Sequence, residues 1–521
     1  MNIIRKTYTA LVILVLAVGA TGCSIDGINE NPNNPVDENM QPDKLLPLAQ
    51  LNTAKVLSSY TLRGYNPAGN TYNMWLGYWA RSGKYGSNAD QEAYLITSTF
   101  AQENWENSYD ILYNLTRVEQ KAVEAGAKGF QGISLVLQCI HYSMLVDSYD
   151  EIIYTEAFKD GVLAPKYDKG ADVYKALFEK LNTADELFKT ADAGSELNLK
   201  ASDAIFNGDM SKWRKFGNTV HLRLALRLVN VDQATAKAEI DKIVANGAGF
   251  LGSGESAEVH LGFKKDNDRQ NPFWNHFYRG VDGKLKDDFF RANTYIVGLL
   301  ESTKDPRLGY FFREINDEEG AGYLGVPFGE QDQEEKDKHM PNMTSMVSGP
   351  GLAKGIDAPI WILPSFESLF LQAEAIQRGL LAGNAEQAYR AAVKESFLWL
   401  EVGRFEKVLA REGEVGGWQE TLDGVVTDFI DRTANWDRAT DKLKLIMQQK
   451  YIAMTGINGA EAFADYRRTG IPDDLPKSLH RQLGGKHIPY RLVYPTSETT
   501  SNKVNMPKGK DPQKDKIFWM N

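Results

Sequence analysis

Apolar residues recur at the helical period along most of this 521-residue chain, while strand-like alternation is sparse. That pattern predicts a mainly α fold. From about Asp43, the residues Leu45, Leu46, Leu48, Leu51, Ala54 and Leu57 share one helix face. Similar stretches cover roughly 103–125, 131–148, 171–190, 212–229, 234–246, 360–379, 385–400 and 438–455. Around a turn at Gly383-Asn384, small residues Ala373, Ala375, Ala385, Ala388 and Ala392 accompany Tyr389, as closely approaching helices of a tetratricopeptide-like hairpin require. A weaker pair places Tyr174, Leu177, Leu181, Ala184 and Leu187 on one helix and Trp213, Phe216, Val220, Leu224 and Leu228 on another. No period of about 34 residues runs through the chain, so a regular repeat array is not predicted. Two stretches break the helical text: Arg81–Asp90, and about 250–357, whose Gly, Pro, Asn and Asp content predicts a large, irregular, loop-rich insertion.

The N-terminus sets the expected compartment. Arg5 and Lys6 precede an apolar run from Ala10 through Ala20, too short to span a bilayer, so residues 1–22 read as an export signal. Ala20-Thr21-Gly22 runs directly into Cys23, the pattern of a bacterial lipoprotein signal, which makes Cys23 the expected lipidation site. The turn formers and prolines between Ser24 and Pro35 predict a tether over 23–42, ahead of a folded domain over 43–521. The only other cysteine, Cys139, lies in an apolar stretch and reads as a small buried hydrophobe. Formal charge is 59 − 69 = −10, and removing Arg5 and Lys6 makes it −12. There is no basic block, so no nucleic-acid partner is expected.

Catalytic signatures are missing. The seven histidines include no zinc-protease pair at i, i+4, and no phosphate loop or Gly-x-Ser-x-Gly occurs. Glu367 and Glu374 would both face a packed hairpin and so read as structural or solvated, since glycosidase chemistry needs carboxyls across a cleft. Asp266, Asn267 and Asp268 lack the glycine and distal glutamate of a calcium loop, so a solvated turn is favoured. No catalytic residue, metal site or cofactor is expected. Asp465, Arg467 and Arg468 read as a salt-bridge network rather than a ligand site.

The conspicuous chemistry is aromatic: 23 Tyr, 23 Phe and 10 Trp. Between Tyr72 and Arg81 the pattern puts Tyr72, Trp75 and Trp79 on one side of a helix, with Arg81, Tyr85, Asn88 and Asp90 in the loop beyond. Indole and phenol rings stack on the apolar faces of sugars while Arg, Asn and Asp bind hydroxyls, so this mixture suits a glycan site. Core packing is the competing reading for Trp75 and Trp79. Asn271–Arg279, with Trp274, Asn275 and Tyr278, suits a binding loop or a local mini-core equally. Trp79, Arg81, Tyr85, Asn88, Trp274, Asn275 and Tyr278 are therefore the candidate ligand contacts.

Many short segments, in order, carry a family resemblance. They include Asn31-Pro32-Asn33, Leu145–Ala157, Pro165–Asp168, Gly208–Asn218, Leu222–Arg227, Phe370–Ala375, Gln449–Ala453, Asp465–Pro472 and Ile488–Pro495. Together they resemble the SusD/RagB-like nutrient-binding lipoproteins. One departure is Asp150-Glu151, where the family commonly shows Gly-Asp. The resemblance implies a tetratricopeptide-like helical scaffold with an irregular binding portion. It also implies an outer-membrane lipid anchor facing the cell surface, and a SusC-like TonB-dependent transporter as partner. The ligand is expected to be an oligosaccharide, with oligopeptide as the alternative.

Overall fold

Most of the long helices fall where the periodicity places them. In the computed structural model, which describes residues 40–58, 70–315, 322–407, 412–414 and 416–521, the main helices are Pro42–Leu57, Gln102–Ala125, Lys128–Tyr149, Gly170–Thr190, Met210–Leu228, Gln233–Ala245, Ser365–Gln377, Ala385–Trp399 and Lys442–Ala453. Successive helices pack as antiparallel hairpins, most extensively Gln102–Ala125 with Lys128–Tyr149 and Ser365–Gln377 with Ala385–Trp399. Lys128–Tyr149 is long and apolar enough to cross a bilayer, yet 89 % of that apolar window is buried, which makes it the central core helix. Within it Cys139 donates its thiol to the Leu177 carbonyl at 3.6 Å, and burial pushes the thiol pKa up to about 12. That cysteine is an inert packing residue. Residues Pro42–Asn521 form one compact unit. Cys23, the signal and most of the tether lie outside the described residues.

Periodicity erred in two places. The helix expected over 72–81 covers only Thr71–Trp75, because Gly77 turns the chain at φ +68° and a strand, Trp79–Arg81, follows. Trp79 therefore does not share a helix face with Trp75. Residues 360–379 divide as well: Ile360–Leu363, bulky and fully buried, pairs antiparallel with Ala257–Val259, and the helix starts only after Pro364. The insertion is also less irregular than its composition suggests, since it holds helix Thr294–Ser302 and strand Phe290–Ala292.

Asp150 ends helix Lys128–Tyr149 at φ +67°, ψ −76°, with Glu151 N donating to Tyr149 O at 3.0 Å. This is a γ-turn of the strained kind that glycine adopts most easily. The turn survives with aspartate because the Asp150 carboxylate accepts the Phe518 amide at 2.8 Å.

Under the hairpins lies a buried ion cluster. Arg223 pairs with Glu367 at 2.6 Å, Arg468 with Glu374 at 2.8 Å and Asp465 at 2.9 Å, and Lys450 with Asp465 at 2.6 Å. Arg227 reaches Glu461, Asp465 and Asp147. Arg467 donates to the Asp147 and Tyr490 carbonyls at 2.6 and 2.7 Å. These pairs join helices Lys128–Tyr149, Met210–Leu228, Ser365–Gln377, Lys442–Ala453 and Gly459–Thr469. Removing one partner leaves a buried charge uncompensated, so loss of any single member is strongly destabilising.

Candidate functional site

The antiparallel pairing of Trp79–Arg81 with Phe290–Ala292 matches Trp79 to Ala292 and Arg81 to Phe290. The chain leaving one strand is thereby laid against the chain entering the other. Ser82 closes the junction, its amide donating to Phe289 O at 2.8 Å and its hydroxyl to Asp288 O at 2.7 Å. Just beyond, the Tyr85 hydroxyl and the Lys84 ammonium both donate to the Asp288 carboxylate. Helix Pro272–Phe277 supplies the third wall. Its cap, Asn271, accepts the Trp274 amide at 2.8 Å and donates to Ala358 O at 2.9 Å, anchoring the helix to the insertion's far end.

The result is an open pocket of about 600 Å³, lined by Tyr85, Asn275, His276, Lys286, Asp287, Asp288 and Phe289. Phe289 lies 5.0 Å from the Tyr85 ring, so two aromatic faces border two carboxylates. Burial pushes His276 down to about 4, so its imidazole is neutral at physiological pH. Asp288 is held below its ordinary value: partial burial raises it, but the bonds from Lys84 and Tyr85 outweigh that. Asp287 goes the other way, pushed by burial to about 6 against the pull of Arg291.

The larger cleft, between the 253–260 segment and helix Ala385–Trp399, has its acidic groups already engaged. Glu395 accepts Gly254 N at 2.8 Å and Ser365 Oγ at 2.6 Å. Glu255 takes Lys215 at 2.8 Å, Glu258 takes the Trp399 indole N–H at 3.2 Å, and Lys354 covers the Trp399 ring at 3.9 Å. The Tyr85 pocket is the better candidate because it sets two aromatic rings beside two carboxylates in an open cleft.

Of the sequence-derived contacts, Tyr85 and Asn275 line this pocket. Trp274 precedes Asn275 on the same helix, half-buried, its ring 4.7 Å from Tyr278. The remaining four need correction. Trp79 is fully buried between Phe277 and Phe290, at 5.2 and 5.4 Å, and belongs to the core. Arg81 is buried too, donating to Glu92 at 2.6 and 3.1 Å and to Glu330 O at 2.9 Å, which fixes the loop rather than a ligand. Asn88 caps helix Ala89–Glu92 by accepting Gln91 N at 3.3 Å. Tyr278 is buried beneath Arg313, whose guanidinium sits 3.9 Å from its ring centre. Trp75 is buried, as the core reading holds. Lys286, Asp287, Asp288 and Phe289 were missed, because nothing local in Lys286–Phe290 reveals that the next strand pairs with one two hundred residues earlier, and His276 lay inside the Asn271–Arg279 cluster without being singled out.

Glu367 and Glu374 are fully buried against Arg223 and Arg468, so neither borders a cleft. Asp266 is exposed and pairs with Lys264 at 3.5 Å, an ordinary solvated turn. Among the described residues no three His, Cys, Asp or Glu side chains are grouped to hold a metal ion.

Stacked helical hairpins carrying an open pocket of rings and hydrogen-bonding groups define a binding protein built on a tetratricopeptide-like scaffold. A SusD-like family model described as "Starch-binding associating with outer membrane" matches residues 33–495, and the chain belongs to that family. A chitin-binding SusD homologue from Flavobacterium johnsoniae shares 23 % identity at TM-score 0.72, covering 91 % of this chain and 98 % of its own. SusD homologues from Bacteroides fragilis and Bacteroides uniformis share 20 % and 23 % identity at TM-scores 0.71 and 0.68, each over 92 % of this chain and 99 % of theirs. These likenesses establish the fold. No curated protein matches the sequence.

Proposed function

We propose that this chain is a surface-facing, lipid-anchored outer-membrane protein that captures an oligosaccharide in the Tyr85 pocket and passes it to a SusC-like TonB-dependent transporter. The observation carrying the reading is the convergence of Tyr85 and Phe289 with Asn275, Asp287 and Asp288 in one open pocket. Rings of this kind cover the apolar face of a pyranose while the polar groups take its hydroxyls. The family description as starch-binding and the chitin-binding homologue both support a saccharide ligand. Capture without turnover is the expected behaviour, because Glu367 and Glu374 are occupied by arginines.

Isothermal titration with maltoheptaose, chitohexaose and a peptide library tests the ligand class. Saccharide binding is expected; peptide binding without any saccharide binding would move the assignment to oligopeptide capture. The anchor rests on Ala20-Thr21-Gly22-Cys23. Labelling cells with an alkynyl fatty acid should mark the wild-type protein and not Cys23→Ala, and equal labelling of both would remove the anchor from the account. Copurification of a TonB-dependent barrel with the detergent-solubilised wild-type protein is the corresponding check on the partner.

A further inference from the structure

Where helix Gln102–Ala125 meets the 153–165 segment and helix Thr496–Ser501, the fold holds a separate pocket of about 330 Å³, whose lining includes Trp105, Glu106, Tyr109, Asp110, Phe158 and Glu498. Its walls are aromatic and held in place. The Tyr109 hydroxyl accepts Ile153 N at 3.0 Å and donates to Ile153 O at 2.8 Å, so the phenol oxygen is spent within the protein and the ring is what remains for a ligand. The Phe158 ring stands 6.2 Å from Tyr109 and 5.6 Å from the half-exposed Tyr113.

Among the described residues, every charged side chain in this lining is an acid. Glu498 decides what the pocket can hold. It is nine-tenths buried, its Oε2 accepts the Tyr167 hydroxyl at 2.5 Å and lies 3.5 Å from Asn502 Nδ2, and no lysine or arginine pairs with it. Oε1 takes no hydrogen bond from the described residues, and it is not among the polar atoms sealed from solvent. A carboxylate set among rings without a cation of its own carries a desolvation cost that a charged donor arriving from outside offsets.

We infer that this pocket is a second binding site, specific for an organic cation, in which a primary ammonium or guanidinium group donates to Glu498 Oε1 and lies against the Tyr109 and Phe158 rings. Rings of this kind attract a cation within about 6 Å of their centres, and a neutral isostere gains neither that attraction nor the charge-assisted hydrogen bond. The cation belongs either to a free amine such as an amino sugar or to a basic side chain of a polypeptide. Leu163, 94 % exposed on the segment between Phe158 and Pro165, separates the two sources, because a polypeptide can cover it and a small amine need not.

This site stands independently of the saccharide reading of the Tyr85 pocket. Titration at about pH 6.5 compares acetyl-Ala-Lys-Ala-amide, acetyl-Ala-Arg-Ala-amide and a glucosamine trimer with their uncharged counterparts, the norleucine peptide and the N-acetylglucosamine trimer. Wild type, Glu498→Gln and Leu163→Ser are measured, with melting temperatures in parallel. Wild type should bind at least one cationic probe at least about tenfold more tightly than its counterpart, and Glu498→Gln should lose that preference. A peptide preference weakened by Leu163→Ser assigns the cation to a polypeptide, and a glucosamine preference untouched by Leu163→Ser assigns it to a free amine. Equal wild-type affinity for charged and uncharged probes overturns the inference without any variant having to fold. A folded Glu498→Gln that keeps the full preference overturns it as well, since the cation is then held elsewhere.

Discussion

Trp79 and Tyr85 stand one short loop apart and do opposite work. Both are aromatic in an aromatic-rich segment; the sequence sets Tyr85 in a loop and leaves Trp79 between core and site, because the strand that commits Trp79 to the core exists only through pairing with Phe290–Ala292. Trp79→Ala should cost about 3–5 kcal/mol of stability, as truncation of a fully buried indole does, read as an early denaturant midpoint. Tyr85→Ala, by contrast, should leave the midpoint nearly in place while weakening saccharide binding. A Tyr85→Ala protein that melts early and binds normally would return Tyr85 to the packing residues. Asp465, Arg467 and Arg468 were legible as a buried or surface ion network from their density alone, although not that it ties five helices together.

At the level of elements, long amphipathic helices were readable because one apolar stripe suffices to announce them, as in Gly170–Thr190. Short strands and turns were not, since three residues carry no period and their partners lie far away in sequence. Gly83 shows how tightly these small pieces are fitted. A Cβ there would stand 1.9 Å from the Lys336 carbonyl oxygen, and its amide already donates to His339 O at 2.8 Å. Gly83→Ala must therefore push the 82–88 loop away from helix Gln333–Lys338 and carry Tyr85 off Asp288. The expected result is a saccharide affinity reduced at least severalfold with all other helices intact by circular dichroism; unchanged affinity would show that the loop's position is unimportant to the pocket. Helix Met210–Leu228 illustrates the complementary, local rule. Asp209 caps it by accepting Ser211 N at 3.0 Å and Lys212 N at 3.1 Å, so Asp209→Ala should lower stability by about 1 kcal/mol without touching binding.

Across the whole molecule, stability depends on charges placed inside it. Asp465, Glu461 and Glu374 are buried, which raises a carboxyl pKa, but the facing Lys450, Arg468, Arg227 and Arg223 outweigh burial and hold all three below their ordinary values of 3.8 and 4.5. A depressed carboxyl contributes stability above its unfolded pKa and loses it as pH falls through the folded one, because the unfolded chain binds the proton first. Asp147 and Glu367 are raised by burial and act in the opposite sense, regaining stability on protonation. The three depressed groups should dominate below about pH 4.5, giving an acid limb in urea-unfolding midpoints that Asp465→Asn flattens. Identical acid limbs in the two proteins would mean that the network does not set the acid sensitivity.

The proposed function places saccharide binding in the pocket built by the Trp79–Arg81 and Phe290–Ala292 pairing. The most direct measurement is titration of the best-binding oligosaccharide into wild type, Tyr85→Ala and Phe289→Ala, each confirmed folded by its melting temperature. Ring anchors in such sites carry a large share of the binding energy, so each variant should lose about 1–3 kcal/mol of affinity. Full affinity in both folded variants would contradict the claim and place the ligand elsewhere on the molecule.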